Sequence, residues 1–213
     1  SWGYDNYYGL QDIQKYNDER YVLDRELILN KTFYNKIFKQ QGNFVNYIIT
    51  YSPHTPFTTE KEVGKILAEE KYGKGNVPKL SEEDCAKMAA SETDNMVGLL
   101  IQALKDNGLY DNTVIVAYAD HYLYTLDDKS ILDKYKETSN NLINHTPFFI
   151  WSSDLGQLTS ISKVNMQMDI LPTVLNLFGI DYNSNNYIGH DILSNDFKGY
   201  AFFSDYSWYD GKV

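Results

Sequence analysis

The stretch that most constrains the fold is Val114-Ile115-Val116-Ala117-Tyr118-Ala119-Asp120-His121-Tyr122. β-Branched residues at this density predict a strand buried on both faces, as in the interior of an α/β sheet. Strands of that kind deliver functional groups at their carboxyl end, which is where Asp120 and His121 fall. A carboxylate beside a neutral imidazole suits Zn²⁺ or Mn²⁺. The same pair also suits an ordinary strand end, with a solvated acid and a capping imidazole.

The 213 residues are enough for one domain with a core. No apolar run approaches the ~20 residues of a spanning helix, and no signal peptide is visible. A net charge of −10 argues against nucleic acid, whose phosphates need a basic surface. The single cysteine, Cys85, excludes an internal disulfide and reads as a core thiol. Nineteen tyrosines, many asparagines and few arginines suggest an extracellular bacterial protein. Ser1 at the start and the Asp210-Gly211 turn near the end suggest a piece of a longer chain.

Asp24, followed by Leu27, Ile28, Phe33, Ile37 and Phe38, predicts an N-capped amphipathic helix closed by Gly42. Residues 44–51 predict a second buried strand. It runs into Ser52-Pro53-His54-Thr55-Pro56-Phe57, where two prolines exclude helix and fix a rigid turn around His54. His54 alone also reads as a hydrogen-bonded loop histidine. A helix is expected over 61–72. The longest is expected over 81–107, with Ser81 as N-cap and three acids, Glu82, Glu83 and Asp84, suiting the helix dipole. A short helix is expected over 127–137 and a loop over 139–141. His145 precedes a Pro147-initiated apolar strand and also suits a strand cap.

The segment from Leu99 through Asp111-Asn112-Thr113 into the Asp120-His121 strand resembles a signature of the alkaline phosphatase/sulfatase superfamily. Within it, the likeness is to the branch of lipoteichoic acid synthases and related phosphoglycerol or phosphoethanolamine transferases. The Ser52-Pro53-His54-Thr55-Pro56-Phe57 turn, Asn144-His145-Thr146-Pro147, Asp169-Ile170-Leu171-Pro172-Thr173 and Gly189-His190-Asp191 match further family motifs in order, over nearly the whole chain. The resemblance implies that Asp120 and His121 bind a divalent metal. Mn²⁺ is the expected ion, with Zn²⁺, Mg²⁺ and Ca²⁺ as alternatives. It further implies that His54 touches the substrate's phosphate or head group. His145 would approach the phosphate or a second metal, as in the phosphoethanolamine transferases. Asp94 also matches a family position, but reads best as a structural helix residue. Leu123 stands where many relatives have proline, which puts the rigidity of that loop in question.

The implied fold is a three-layer α/β/α domain. Its central sheet is mixed and mostly parallel, made from 44–51, 114–119 and 148–151, and it ends in a small antiparallel hairpin after Tyr200. Residues 1–213 would form the carboxyl-terminal portion of one sulfatase-like catalytic domain. The implied activity is transfer from a phospholipid head group, or another phosphorylated or sulfated substrate, during cell-envelope polymer synthesis. The setting would be the outer face of the bacterial membrane, in a membrane-anchored parent whose catalytic part is monomeric. The family's Thr or Ser nucleophile and one acidic metal ligand have no match here, so the chain alone is expected to be inactive. Two alternatives stay open: a sulfatase or phosphodiesterase of the same superfamily, and a non-catalytic module with a Tyr-rich face for glycans or polymers.

Overall fold

A computed structural model describes residues 3–9, 12, 22–135 and 145–212. The chain divides into two compact units, Ser1–Lys136 with Ile143–Leu155, and Glu137–Leu142 with Gly156–Val213.

The spine of the first unit is one long helix. Helices described in this unit are numbered α1 (Glu26–Leu29), α2 (Lys31–Phe38), α3 (Glu62–Tyr72), α4 (Glu82–Asp106) and α5 (Ser130–Asp133). At 25 residues, α4 is about 37 Å long. Ser81 starts it as expected, accepting from the Asp84 amide at 3.1 Å while its hydroxyl donates to the Asp84 carboxylate at 2.6 Å.

Three apolar clusters line α4. Met96, Ala103 and Leu104 meet Ile28, Phe33, Ile37 and Phe38 from α1 and α2, with Ile115 against them. Met88 packs on Leu23, Val63 and Leu67. Cys85 and Ala89 enclose Phe57, Leu126 and Ile131. Cys85 is the buried core thiol expected, and burial pushes its pKa up. Gly64 in α3 is required by close approach, since a Cβ there would lie 2.1 Å from the Thr58 carbonyl oxygen.

The helix expected to run from Asp24 is two helices with a break at Asn30. The Asn30 side chain accepts from the Thr32 and Phe33 amides at 3.0 and 3.4 Å, so it caps α2 instead of continuing α1. The second helix ends at Phe38 rather than at Gly42. Asp24 is not a cap; its carboxylate reaches elsewhere, as described below.

The sheet differs most from expectation. β1 (Val114–Tyr118) pairs with β2 (Phe148–Ser152) in antiparallel register, from Val114 opposite Ser152 to Tyr118 opposite Phe148. Among the described residues no parallel pairing occurs, and 44–51 form no strand. Val45, Tyr47 and Ile49 are exposed, so the buried strand expected over 44–51 is absent: the run is apolar enough for a strand but has no ladder partner among the described residues. β1 itself is only partly buried, because a two-stranded sheet leaves its apolar side chains incompletely covered. The three-layer arrangement is therefore not what these residues display; they form helices with small antiparallel sheets.

In the second unit α6 (Ile170–Leu177) follows a 3-10 turn at Gln167–Asp169. Pro172 lies in its first turn and Gly179 (φ 63°) follows its end, as the sequence predicts. Asp169, 1% exposed, accepts from the amides of Met166 (2.9 Å) and His190 (2.7 Å). Thr173 Oγ1 accepts from the Ile192 amide at 3.1 Å. Gly189 sits so close that a Cβ would lie 1.9 Å from the Met168 carbonyl oxygen. β3 (Ala201–Phe202) and β4 (Trp208–Tyr209) form the expected hairpin. Its turn is at 203–207, before the Asp210-Gly211 pair that had suggested one. The end of the expected 127–137 helix and the 139–141 loop lie outside the described residues; within them, only Ser130–Asp133 is α-helical.

Candidate metal and phosphate site

β1 ends at Tyr118 and the chain bends at Asp120 and His121. His121 Nδ1 lies 2.7 Å from the Tyr122 carbonyl oxygen. A carbonyl only accepts, so Nδ1 carries the proton and Nε2 presents the lone pair. The His121 ring also lies 4.7 Å from the ring of Tyr124. Nε2 faces Asp120 Oδ1 at 3.7 Å. That gap suits one divalent ion between them, since imidazole and carboxylate donors each sit about 2.1 Å from such an ion. The pair would supply two donors. Among the described residues no group of three or more His, Cys, Asp or Glu side chains could hold a metal.

The loop after His121 is held firmly despite Leu123. Leu126, 1% exposed, plugs the cluster beside Phe57 and Cys85. Glu82 accepts from the amides of Asp127 and Asp128, at 2.8 Å each. Lys129 Nζ donates to the Tyr124 carbonyl at 2.6 Å and to that of Leu126. Glu83 collects Lys87 (2.8 Å), Lys134 and the Tyr135 hydroxyl (2.9 Å). Hydrogen bonds from Lys134, Lys87 and Tyr135 hold its carboxyl down at about 2. The acids expected to serve the helix dipole therefore tie down a loop as well.

His54 is presented in the same way as His121. Its amide closes a turn onto the Tyr51 carbonyl at 3.0 Å, and its Nδ1 donates to the Thr55 carbonyl at 2.7 Å. The ring stacks on Tyr51, centroids 5.3 Å apart and 12° from parallel. Again Nε2 is the acceptor nitrogen, on an exposed side chain.

The turn is pinned at both ends. Phe57 is buried beyond it, and before it Asp24 accepts from the amides of Tyr51 (2.7 Å) and Ser52 (3.0 Å). His145 is exposed, just before β2. The Ala119 amide donates to the Pro147 carbonyl at 3.2 Å, one step past the ladder. The antiparallel pairing puts the carboxyl end of β1, just before Asp120 and His121, beside the amino end of β2, just after His145; a parallel pair would not have done so.

Two groups near the site escaped sequence reasoning. Asp24 is separated from its partners by 27 to 69 residues, and no local signal marks it. The Tyr118 hydroxyl donates to that of Tyr47 at 3.1 Å, joining the 44–51 segment to the end of β1.

The chain belongs to the sulfatase family, whose model matches residues 1–180. It is 28% identical to the lipoteichoic acid synthases of Staphylococcus saprophyticus and Staphylococcus aureus, over an alignment of 235 residues. That alignment covers all of this chain and 35% of each relative, so the chain spans about a third of their length. Its structure is similar to the crystal structure of the lipoteichoic acid synthase LtaP from Listeria monocytogenes. The TM-score is 0.68 at 25% identity, over 90% of this chain and 48% of that one. These likenesses place the chain in the lipoteichoic acid synthase branch of the alkaline phosphatase/sulfatase superfamily. No helix among the described residues is long and apolar enough to cross a membrane.

Proposed function

We propose that these residues are the carboxyl-terminal part of a single metal-dependent transferase domain. It would act on the phosphodiester of a phospholipid head group and pass phosphoglycerol or phosphoethanolamine to a growing envelope polymer. The setting would be the outer face of the membrane, in a membrane-anchored parent. The observation that carries the reading is the locked His121 ring, with Nδ1 on the Tyr122 carbonyl and Nε2 toward Asp120.

In this reading Asp120 and His121 hold a divalent ion, Mn²⁺ in preference to Zn²⁺, Mg²⁺ or Ca²⁺. When bound, that ion supplies positive charge against the charge developing on phosphorus. His54 Nε2, fixed by the Thr55 carbonyl and the Tyr51 stack, once protonated donates to a phosphate oxygen or gives its proton to the leaving group. His145 completes the phosphate contacts from β2. The four residues would lie within about 10 Å, the span of a metal–phosphate site. The antiparallel pairing, which brings the carboxyl end of β1 beside the amino end of β2, supports that convergence for His121 and His145. In the whole protein, the two-stranded sheet would extend into a mixed sheet between helical layers.

The test is turnover of a phosphatidylglycerol analogue by the longer protein with Mn²⁺ present. Turnover is expected, lost in Asp120→Ala and His121→Ala and absent from the 213-residue chain by itself. Full activity without Asp120 or His121 would remove the metal assignment. Cleavage of a sulfate ester in place of the phosphodiester would redirect the reading to a sulfatase.

A further inference from the structure

The Asp24 carboxylate is 2% exposed and fully engaged. Oδ1 accepts from the backbone amides of Tyr51 (2.7 Å) and Ser52 (3.0 Å), and Oδ2 from the Thr93 hydroxyl (2.6 Å). The Asp24 amide donates to Ser52 Oγ at 2.9 Å, and Ser52 is 0% exposed. The next residue holds the backbone of this corner to α4. The Arg25 amide and Nε both donate to Glu92 Oε1, at 3.1 and 3.0 Å, while its NH2 group reaches Glu70 at 2.6 Å. Glu92 is itself buried.

Burying a carboxylate is costly unless its oxygens are saturated. Here saturation joins three segments that are remote in sequence: the start of α1, the middle of α4 and the turn before His54. The two amides that it fixes belong to the residue stacked on His54 and to the residue after it. An apolar side chain could fill the same volume at less cost, but it could not hold two amides in one orientation.

We infer that Asp24 is a positioning residue for His54: its carboxylate sets the Tyr51-Ser52 backbone, which fixes the turn and the stacked ring and so the direction of His54 Nε2. The consequence for catalysis rests on the phosphate-contact role proposed above; the positioning itself does not. Asp24→Asn keeps the function, because Oδ1 still accepts both amides and Nδ2 donates to Thr93 Oγ1, which can accept. Asp24→Ala takes the acceptor from the part-buried Tyr51 amide and the buried Ser52 amide.

The experiment is imidazole NMR of His54 in the 213-residue chain, with far-UV circular dichroism to confirm folding. In the unsubstituted chain the His54 Hε1 signal carries the ring-current shift of Tyr51 and the tautomer is Nδ1–H. Asp24→Ala is expected to lose both signatures, and Asp24→Asn to restore them. Should Asp24→Ala fail to fold, Asp24→Leu decides, since it fills the volume while leaving the Tyr51 and Ser52 amides without their acceptor. A displaced Hε1 signal in that variant supports the inference, and an unmoved one overturns it. An unmoved signal in folded Asp24→Ala overturns it equally. In the longer protein, kcat/KM of Asp24→Ala should fall by roughly 10²-fold, as for a small misplacement of a reacting group. Mn²⁺ affinity should be unchanged. If the NMR signatures change while His54→Ala leaves turnover intact, the proposed catalytic role of His54 fails and the positioning stands.

Discussion

Tyr118 donates its hydroxyl to that of Tyr47 at 3.1 Å, across 71 residues of sequence. The hydrogen bond to Tyr47, then burial, then the nearby charges of Tyr47, Tyr4 and Asp120 push the Tyr118 hydroxyl up to about 12. The folded chain thus holds this proton more tightly than the unfolded chain does. The stabilisation is complete below the ordinary value of 10.0 and is lost as pH rises through about 12. In Tyr47→Phe the phenolate absorbance of Tyr118 should rise at a lower pH, nearer the ordinary value. An unchanged alkaline limb would show that the contact is absent in solution.

Glu83 predicts the opposite limb. With its carboxyl held at about 2 by Lys134, Lys87 and Tyr135, it stabilises the fold fully above the ordinary value of 4.5. That contribution is lost as pH falls through about 2. Amide protection factors in segment 126–135 should therefore fall on acidification across that window. Glu83→Gln should lower them at neutral pH and flatten the acid response. Equal exchange in both proteins at neutral pH would refute the role.

Leu126 is the apolar counterpart of that clip. Truncation to alanine removes a side chain enclosed by Phe57, Cys85, Ala89 and Ile131, and should cost about 2–5 kcal/mol in a denaturant titration. A loss under about 1 kcal/mol would mean that the cluster collapses around the gap.

Two helix glycines should respond with opposite signs. A Cβ at Gly98 in α4 meets nothing within 4 Å, so Gly98→Ala should stabilise by roughly 0.5–1 kcal/mol through helix propensity. At Gly64 the same methyl would strike the Thr58 carbonyl oxygen, and Gly64→Ala should lower Tm. Parallel melts of the two variants check this, and a shared sign would contradict it.

What the sequence made legible was local. The cap at Ser81, the length of α4, the Pro172 and Gly179 boundaries of α6 and the Asp120-His121 strand end all follow from signals within a few residues. Pairing partners were not legible. The apolar run over 44–51 carries no record of whether a partner strand lies beside it, and β-branched density at 114–118 says nothing of which neighbour binds or in which direction. The candidate site divides along the same line. His54 and His121 stand out by context, while the common locking of Nδ1 on the following carbonyl is a matter of side-chain rotation. Asp24 looked like a helix cap because its neighbours fit one. Only the fold shows that its oxygens reach residues 51, 52 and 93 instead.

The break at Asn30 has a mechanical meaning. A continuous helix turns by about 100° per residue, so rotation at one end dictates which way every later side chain faces. With the ladder interrupted after Leu29 and restarted by the Asn30 side chain, the Ile28 end and the Phe33–Phe38 end need not share one phase. Asn30 serves as a universal joint, letting the corner at Asp24 and Arg25 and the aromatic rings of α2 each meet α4 at an angle of its own.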